Sequence, residues 1–142
     1  MIRPLRSADL TQIKKIYTAA NEKNGLAVIP GHFSKDSVKY INETLHKCEN
    51  TVFEENGKSL GIISVSYDFI EGLFVDPEHW NRGIGSALLT YILKNRADLR
   101  LQVYEKNLNA VKFYLKHKFR ITGGGICQIT GLAYFEMVFS KT

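Results

Sequence analysis

The stretch LFVDPEHWNRGIGSALL, residues 73–89, is the most informative segment of this 142-residue chain. An apolar run ends at Asp76-Pro77, a polar loop follows, and Gly83 and Gly85 open a segment with helical periodicity. The apolar positions of that segment are Ile84, Ala87, Leu88, Tyr91 and Ile92. The pattern predicts a strand, a loop and an amphipathic helix in that order.

The two glycines at the start of this helix predict an anion site. Glycine lets a ligand approach the backbone closely, and the first amide N–H groups of a helix have no intrahelical acceptor. Together with the positive end of the helix dipole, these groups favour a pyrophosphate, and Arg82 adds a positive charge beside them. Taken from the residues alone, Gly83 could also serve only as a tight turn into the helix.

Two other phosphate-binding motifs are excluded. The chain has no GxxxxGK[ST] sequence, so it has no Walker loop. A dinucleotide fingerprint is a closer rival, because Gly83-Ile84-Gly85 follows a strand and Glu105 lies twenty residues after Gly85. However, Leu88 occupies the third glycine position, and the loop between Val75 and Gly83 is too long for that motif's tight turn.

The other elements follow from hydrophobic periodicity. An extended start at residues 2–5 precedes a helix capped by Ser7, and a second helix begins at Ser34. The expected apolar face of the first helix is Leu10, Ile13, Ile16, Tyr17 and Ala20; that of the second is Val38, Ile41 and Leu45. Residues 51–55 and 59–67 are predicted strands joined by a tight turn at Asn56-Gly57.

After a strand at residues 70–75, the amphipathic helix that Gly83 and Gly85 open is predicted over residues 83–96. A strand over residues 99–104 and a helix over residues 107–117 follow. The last two strands are predicted over residues 119–122 and 133–139, with the glycines at 123–125 as a bend between them. The element order β-α-α-β-β-β-α-β-α-β-β predicts a mixed α/β fold.

Composition predicts one globular domain over residues 1–142, with 44% apolar and 23% charged residues. The net charge of +5 suits an anionic partner, but lysine and arginine are spread along the chain and form no nucleic-acid tail. Cys48 and Cys127 lack metal-site spacing to any histidine and are expected to be reduced thiols. With no apolar stretch of signal-peptide or membrane-spanning length, we expect a cytoplasmic protein that binds no membrane.

Two motifs resemble those of the GNAT superfamily of N-acetyltransferases. The family's coenzyme A motif [Q/R]xxGx[G/A] corresponds to WNRGIG at residues 80–85, and its VxxxNxxAxxFY segment to VYEKNLNAVKFY at residues 103–114. The element order also follows this family, which implies a mostly antiparallel central sheet flanked by helices. The small bacterial stand-alone members, which include peptidyl-lysine acetyltransferases, are the most similar. Two residues depart from the family pattern. Trp80 stands where the coenzyme A motif has Gln or Arg, and Lys118 stands where a glycine usually precedes the phenylalanine after the last helix.

The resemblance implies acetyl-coenzyme A as co-substrate, without a metal. The backbone of Leu73, Phe74 and Val75 is expected to bind the pantetheine arm and polarise the thioester carbonyl. The amides that would hold the pyrophosphate are those of Asn81, Arg82, Gly83, Ile84, Gly85 and Ser86. Asn107 is expected to contact the cofactor, and it is equally suited to cap the following helix.

The same resemblance makes Tyr114 the general acid that protonates the departing thiolate, although by its pattern alone it could be a core aromatic. Glu71 is the candidate base for the attacking amine, because strand alternation would place it on the same face as Leu73. It could also be a surface carboxylate, and the alternative bases are His32, His79, His117 or water.

An N-acetyltransferase acting on a protein lysine, a protein N-terminus or a small amine is therefore expected, as a monomer or homodimer that binds no nucleic acid. The alternatives are a non-catalytic coenzyme A sensor of the same fold, which would not need Tyr114, and a basic nucleic-acid-binding module, which would need clustered cations and aromatics. The family implies an acceptor region near residues 17–38 and 123–134. Its polar candidates are Glu22, Asp36, Tyr40 and Tyr134.

Overall fold

The computed structural model describes residues 1–26 and 31–141, and the strands of this part form a seven-stranded sheet. The strands are β1 (Ile2–Pro4), β2 (Glu49–Glu55), β3 (Lys58–Ser66), β4 (Phe69–Val75), β5 (Asp98–Tyr104), β6 (Arg120–Ile126) and β7 (Ala133–Ser140). Their order across the sheet is β1-β2-β3-β4-β5-β7-β6. The β4–β5 pair is parallel and the other pairs are antiparallel, so the predicted mixed, mostly antiparallel α/β fold is confirmed.

The helices lie between the strands in the predicted order. They are α1 (Leu10–Lys23), α2 (His32–Lys39), α3 (Ile84–Leu93) and α4 (Leu108–Lys116). A 3₁₀ turn, Ser7–Asp9, precedes α1, and α2 continues into a π-helical turn, Tyr40–Thr44, and a 3₁₀ turn, Leu45–Lys47. The predicted turn between β2 and β3 is present, because Asn56 and Gly57 both have positive φ, at 53° and 77°.

Two hydrophobic cores lie on opposite faces of the sheet. The first joins the sheet to α3 and α4 and includes Leu88 and Tyr114, whereas the second joins it to α1 and α2 and includes Ile16. Ile62 and Ile63 are neighbours on β3 and lie in different cores, as expected for a strand that is covered on both faces. The predicted apolar face of α1 is confirmed at Ile13, Ile16, Tyr17 and Ala20.

The predicted apolar stripe of the second helix is wrong at Val38, which is 47% exposed. Phe33, Ser37 and Tyr40 are buried instead. The helix begins at His32 and widens into the π-helical turn, so its inward face is set by residues that a regular pattern starting at Ser34 does not select.

The predicted bend at the three glycines is also wrong, because β6 runs through them from Arg120 to Ile126. A Cβ atom at Gly124 would lie 2.6 Å from the carbonyl oxygen of Tyr134. A glycine is therefore required here for the close approach of β7 rather than for a change of direction.

The sheet opens between β4 and β5. Their pairing is limited to Phe69 with Arg100 and Ile70 with Leu101, while β5 continues alongside β7 to Tyr104. The last residues of β4 consequently have β3 on one side and an open cleft on the other.

Candidate active site

The end of β4 presents backbone groups to this cleft. The amide N–H of Asp76 donates to the carbonyl oxygen of Leu60 at 2.8 Å, and antiparallel pairs alternate between bonded and unbonded partners. Leu73 and Val75 therefore direct their peptide groups away from β3, whereas those of Phe74 face β3. The indole Nε1–H of Trp80 donates to the Val75 carbonyl at 2.8 Å. The N–H and C=O of Leu73 and the N–H of Val75 are left facing the cleft.

The N-terminus of α3 supplies a second group of amides. Asn81 and Gly83 have positive φ, at 66° and 81°, and Gly83 forms the N-cap. The first intrahelical bond runs from the Ala87 N–H to the Gly83 carbonyl at 3.0 Å. The amides of the preceding helical residues, 84–86, have no intrahelical acceptor and point out of the helix end. This geometry suits a pyrophosphate.

A cavity of about 540 Å³ joins these two groups of amides. Its walls contain nine of the ten predicted cofactor-binding residues: Leu73, Phe74, Val75, Asn81, Gly83, Ile84, Gly85, Ser86 and Asn107. Arg82 is not on the cavity wall, because its guanidinium pairs with the Glu55 carboxylate at 2.7 and 3.0 Å. The Arg82 side chain, 46% exposed, thus contacts Glu55 and does not line the cavity.

A second cavity, of about 630 Å³, lies on the α1 and α2 side of β4 and reaches the segment between β6 and β7. The two cavities share six wall residues: Asn21, Leu73, Phe74, Asn107, Ala110 and Tyr114. They thus meet at the free backbone of Leu73 and at Tyr114. Two ligands that approach from opposite sides would meet at this point.

Tyr114 lies at that junction with its side chain buried in the first core. Tyr114 is 6% exposed, and the centroid of its ring lies 5.2 Å from the ring centroids of Phe113 and Phe119. Burial raises the pKa of its phenol. Its hydroxyl makes no hydrogen bond with residues 1–26 and 31–141, and burial is the sole cause of the pKa shift. The phenol is therefore protonated at neutral pH, and its proton is not committed to a neighbouring acceptor.

Asn107 caps α4, as one of its two predicted roles requires. Its side-chain oxygen accepts from the Ala110 N–H at 3.2 Å, and its side chain also lines both cavities. The cap uses the oxygen, so the amide nitrogen is the group that could contact a ligand.

Glu71 lines the second cavity together with Leu73, but the regular strand alternation from which their common face was predicted is interrupted. Ile70 pairs with Val65 and Gly72 with Ser64, so Glu71 is the extra residue of a β-bulge. As a result Ile70 and Leu73, three residues apart, pack against the same core. The Glu71 carboxylate lies 3.4 Å from the Lys47 ammonium.

The three histidines named as alternative bases lie in different places. His32 lines the second cavity, and His79 lines the first. The Nε2 of His117 is 3.0 Å from the Ser86 hydroxyl, and burial, followed by the charge of Lys116, lowers the pKa of this imidazole. Of the three, His32 alone shares a cavity with Glu71.

Sequence reasoning did not select Tyr104 or Cys127, which both line the second cavity, although Cys127 lies within the predicted acceptor region at residues 123–134. The Tyr104 hydroxyl lies 3.5 Å from the Cys127 sulfur, and both line the cavity wall. The alternation of Leu101 and Val103 with Gln102 and Tyr104 places Tyr104 on the face opposite α3 and α4. That pattern could have identified Tyr104, whereas Cys127 carries no comparable sequence signal.

Comparison with known proteins identifies the family. Residues 46–121 match the model of the acetyltransferase (GNAT) domain. The chain belongs to the GNAT acetyltransferase family. It is 32% identical over 123 residues to the peptidyl-lysine N-acetyltransferase YiaC of Escherichia coli K12, an alignment that covers 85% of this chain and 84% of YiaC.

Solved structures agree with this fold. The apo form of YjaB from Escherichia coli has a TM-score of 0.84 at 20% identity, covering 98% of this chain and 96% of that one. The PaiA N-acetyltransferase of Thermoplasma acidophilum, solved with coenzyme A, has a TM-score of 0.81 at 16% identity, covering 99% and 98%.

The family membership confirms the predicted enzyme class, an acetyltransferase that depends on acetyl-coenzyme A. The glycine loop, the free amides and the cavity between β4 and α4 fit this co-substrate. Within residues 1–26 and 31–141, His, Cys, Asp and Glu form no group of three or more that could bind a metal ion. None of the helices in these ranges combines the length and apolarity required to span a membrane.

Proposed function

We propose that this enzyme transfers the acetyl group of acetyl-coenzyme A to a primary amine by direct attack, with Tyr114 as general acid. The observation that carries the proposal is the hydroxyl of the buried residue Tyr114, which lies at the junction of the two cavities and has no hydrogen-bond partner among residues 1–26 and 31–141. The donor would lie in the 540 Å³ cavity and the amine in the 630 Å³ cavity.

In this reaction the amine nitrogen forms a bond to the thioester carbonyl carbon, and the carbon–sulfur bond breaks. The Leu73 N–H faces the cleft and can donate to the oxygen as negative charge develops on it. Tyr114 gives its proton to the departing thiolate and is reprotonated by the second proton that the attacking nitrogen releases, directly or through water. The cofactor-binding roles of Asn107, of the backbone of Leu73 and Val75, and of residues 81–86 are part of the same proposal. Phe74, whose backbone faces β3, contributes to the cavity wall.

The amine must lose a proton, and Glu71 is the proposed acceptor of that proton, directly or through water. Its carboxylate is in the acceptor cavity, and its partner Lys47 lies at the surface with 58% of its side chain exposed. His32 is the alternative in the same cavity.

We further propose a lysine side chain of a protein as the acceptor, in a cytoplasmic setting. The name of YiaC supports this choice, since it describes a peptidyl-lysine N-acetyltransferase. A protein N-terminus and a small amine are the other acceptor classes to be tested.

The test is a panel of lysine peptides, peptides with free N-termini and small amines, measured by release of the coenzyme A thiol. We expect turnover with at least one class, and we expect acetyl-coenzyme A, but not NAD, to raise the melting temperature. A native-state ligand at a hundredfold excess over its Kd stabilises by about 2.7 kcal/mol. Gly83→Asp and Gly85→Asp, which place a side chain and a negative charge at the helix end, should abolish that rise. Binding without turnover across the panel would instead indicate a coenzyme A sensor.

A further inference from the structure

The polar candidates for acceptor recognition differ in whether they line the cavity and whether their side chains already have hydrogen-bond partners. Glu22 is exposed and does not line the 630 Å³ cavity. The Asp36 carboxylate accepts a hydrogen bond from the Tyr17 hydroxyl. Tyr40 is 4% exposed, and its hydroxyl lies 3.4 Å from that of Ser64. Each of these three is therefore off the cavity wall or already has a partner in the described ranges.

Tyr134 differs from them, because it lines the cavity and its hydroxyl has no partner in the described part of the chain. It lies in a row across three strands, paired with Tyr104 of β5 on one side and Gly125 of β6 on the other. The Tyr104 hydroxyl is directed to Cys127, whereas the Tyr134 phenol extends over Gly125.

Gly125 makes this position of Tyr134 possible. A Cβ atom at Gly125 would lie 2.7 Å from the Tyr134 hydroxyl oxygen and 2.9 Å from the ring carbon that carries it. Gly123, two residues earlier, makes a different contact, because its Cβ would lie 3.0 Å from the end of the Glu136 carboxylate. A flexible carboxylate can move aside, whereas the Tyr134 ring would have to leave its place.

We infer that Tyr134, held in place over Gly125, binds the peptide main chain that flanks an acceptor lysine. The ring forms the cavity wall next to β6, and the free hydroxyl exchanges a hydrogen bond with a peptide group of the acceptor. The cavity, at about 630 Å³, is large enough for a ligand well beyond a single small amine. This inference rests on the proposed function and adds the recognition of a peptide rather than of the amine alone.

The first test compares Tyr134→Phe and Tyr134→Ala with the wild type. With a lysine peptide, removing one hydrogen bond should raise the acceptor KM about two- to tenfold, and removing the ring should raise it more. We expect the KM for acetyl-coenzyme A and the kcat to stay within twofold of the wild type. The KM for a small amine such as butylamine should rise less than the KM for the peptide. An unchanged peptide KM in Tyr134→Ala would overturn the inference.

The second test is a double-mutant cycle with Gly125→Ala. This change should raise the peptide KM by displacing Tyr134, and it should have no further effect when Tyr134 is already alanine. Gly123→Ala is the matched control on the same strand and should leave the peptide KM unchanged. Additive effects of Gly125→Ala and Tyr134→Ala would show that Gly125 does not position the ring. Melting temperatures establish whether each variant is folded. If Gly125→Ala does not fold, the peptide KM values of Tyr134→Phe and Tyr134→Ala still test the inference.

A binding measurement separates this inference from the proposed function. The Kd of a fluorescein-labelled lysine peptide for the coenzyme A complex is measured by anisotropy, without turnover. A Kd that rises in Tyr134→Ala supports the inference even if no amine in the panel is acetylated. An enzyme that acetylates small amines but binds no peptide confirms the activity and contradicts the role of Tyr134.

Discussion

The backbone N–H of Phe119 donates to the carbonyl oxygen of Tyr114 at 3.0 Å, and the two rings lie 5.2 Å apart. The Lys118 N–H donates to the Leu115 carbonyl at 3.1 Å, and Lys118 has a φ of 71°. These are the two bonds, the left-handed residue and the apolar contact of a Schellman motif at the end of α4. The motif that ends the helix thus also packs a ring against the proposed general acid.

Lys118 occupies a conformation that favours glycine, which leads to a stability prediction. A left-handed conformation costs a residue with a side chain roughly 1–2 kcal/mol, partly offset by the greater chain entropy of glycine in the unfolded state. We expect Lys118→Gly to raise the free energy of unfolding by about 0.5–1 kcal/mol in urea denaturation. Lys118→Ala, which keeps a Cβ atom, is the control, and its free energy of unfolding should differ little from that of the wild type. Equal stabilities of the two variants would contradict this explanation.

The two cysteines should differ in their reactivity with pH. Hydrogen bonds, with the Thr130 side chain as the largest contribution, lower the pKa of Cys127 to about 7, whereas burial raises the pKa of Cys48. Because the thiolate is the nucleophile, alkylation of Cys127 by iodoacetamide should rise with pH and reach half its maximum near pH 7. Alkylation of Cys48 should still be increasing at pH 9.

Single-cysteine variants measure each thiol separately. Cys48→Ser reports on Cys127, and Cys127→Ser reports on Cys48. Tyr104→Phe removes one hydrogen bond to the Cys127 sulfur and should shift its midpoint upward. Superimposable pH profiles for the two thiols would rule out the environment described for Cys127.

The sequence allowed the element order and the helix-end geometry to be predicted, because periodicity and glycine placement are local properties. The contacts of Gly123 and Gly125 with side chains of β7 were not predictable in this way. The glycines at 123–125 looked like a turn, yet their role depends on Tyr134 and Glu136, which lie on another strand. Such tertiary contacts leave no signal in the local pattern.

In the candidate site too, features set by local motifs were predictable, and features set by contacts between distant residues were not. The loop, the cap residue Asn107 and the position of Tyr114 followed from matched motifs. The bulge at Glu71 did not, because it depends on the register between β3 and β4. Likewise the pairing of Arg82 with Glu55 joins residues 27 positions apart in the sequence.

Glu71→Gln tests the proposed base. It should lower kcat/KM for a lysine acceptor at neutral pH, and higher pH should restore much of the loss. A lysine with a pKa near 10.4 is only about 0.04% neutral at pH 7, so unassisted attack gains strongly as pH rises. Glu49→Gln is the control, since that carboxylate pairs with Arg96 and is not on either cavity wall.

Other outcomes for Glu71→Gln have distinct meanings. A raised acceptor KM that higher pH does not restore would mean that Glu71 orients a cationic acceptor without taking its proton. A variant that matches the wild type at every pH would exclude both roles and leave His32 or water as the base.

The kcat of Tyr114→Phe shows whether the Tyr114 hydroxyl supplies the proton to the leaving thiolate. Phenylalanine keeps the ring contacts, so the melting temperature and the acetyl-coenzyme A affinity should match the wild type, as should every property of the control Tyr91→Phe at the exposed surface of α3. We predict that kcat on the best acceptor falls by about 10²–10⁴, the contribution of general acid catalysis. A kcat within twofold of the wild type would show that Tyr114 is a core aromatic and would contradict the proposed mechanism.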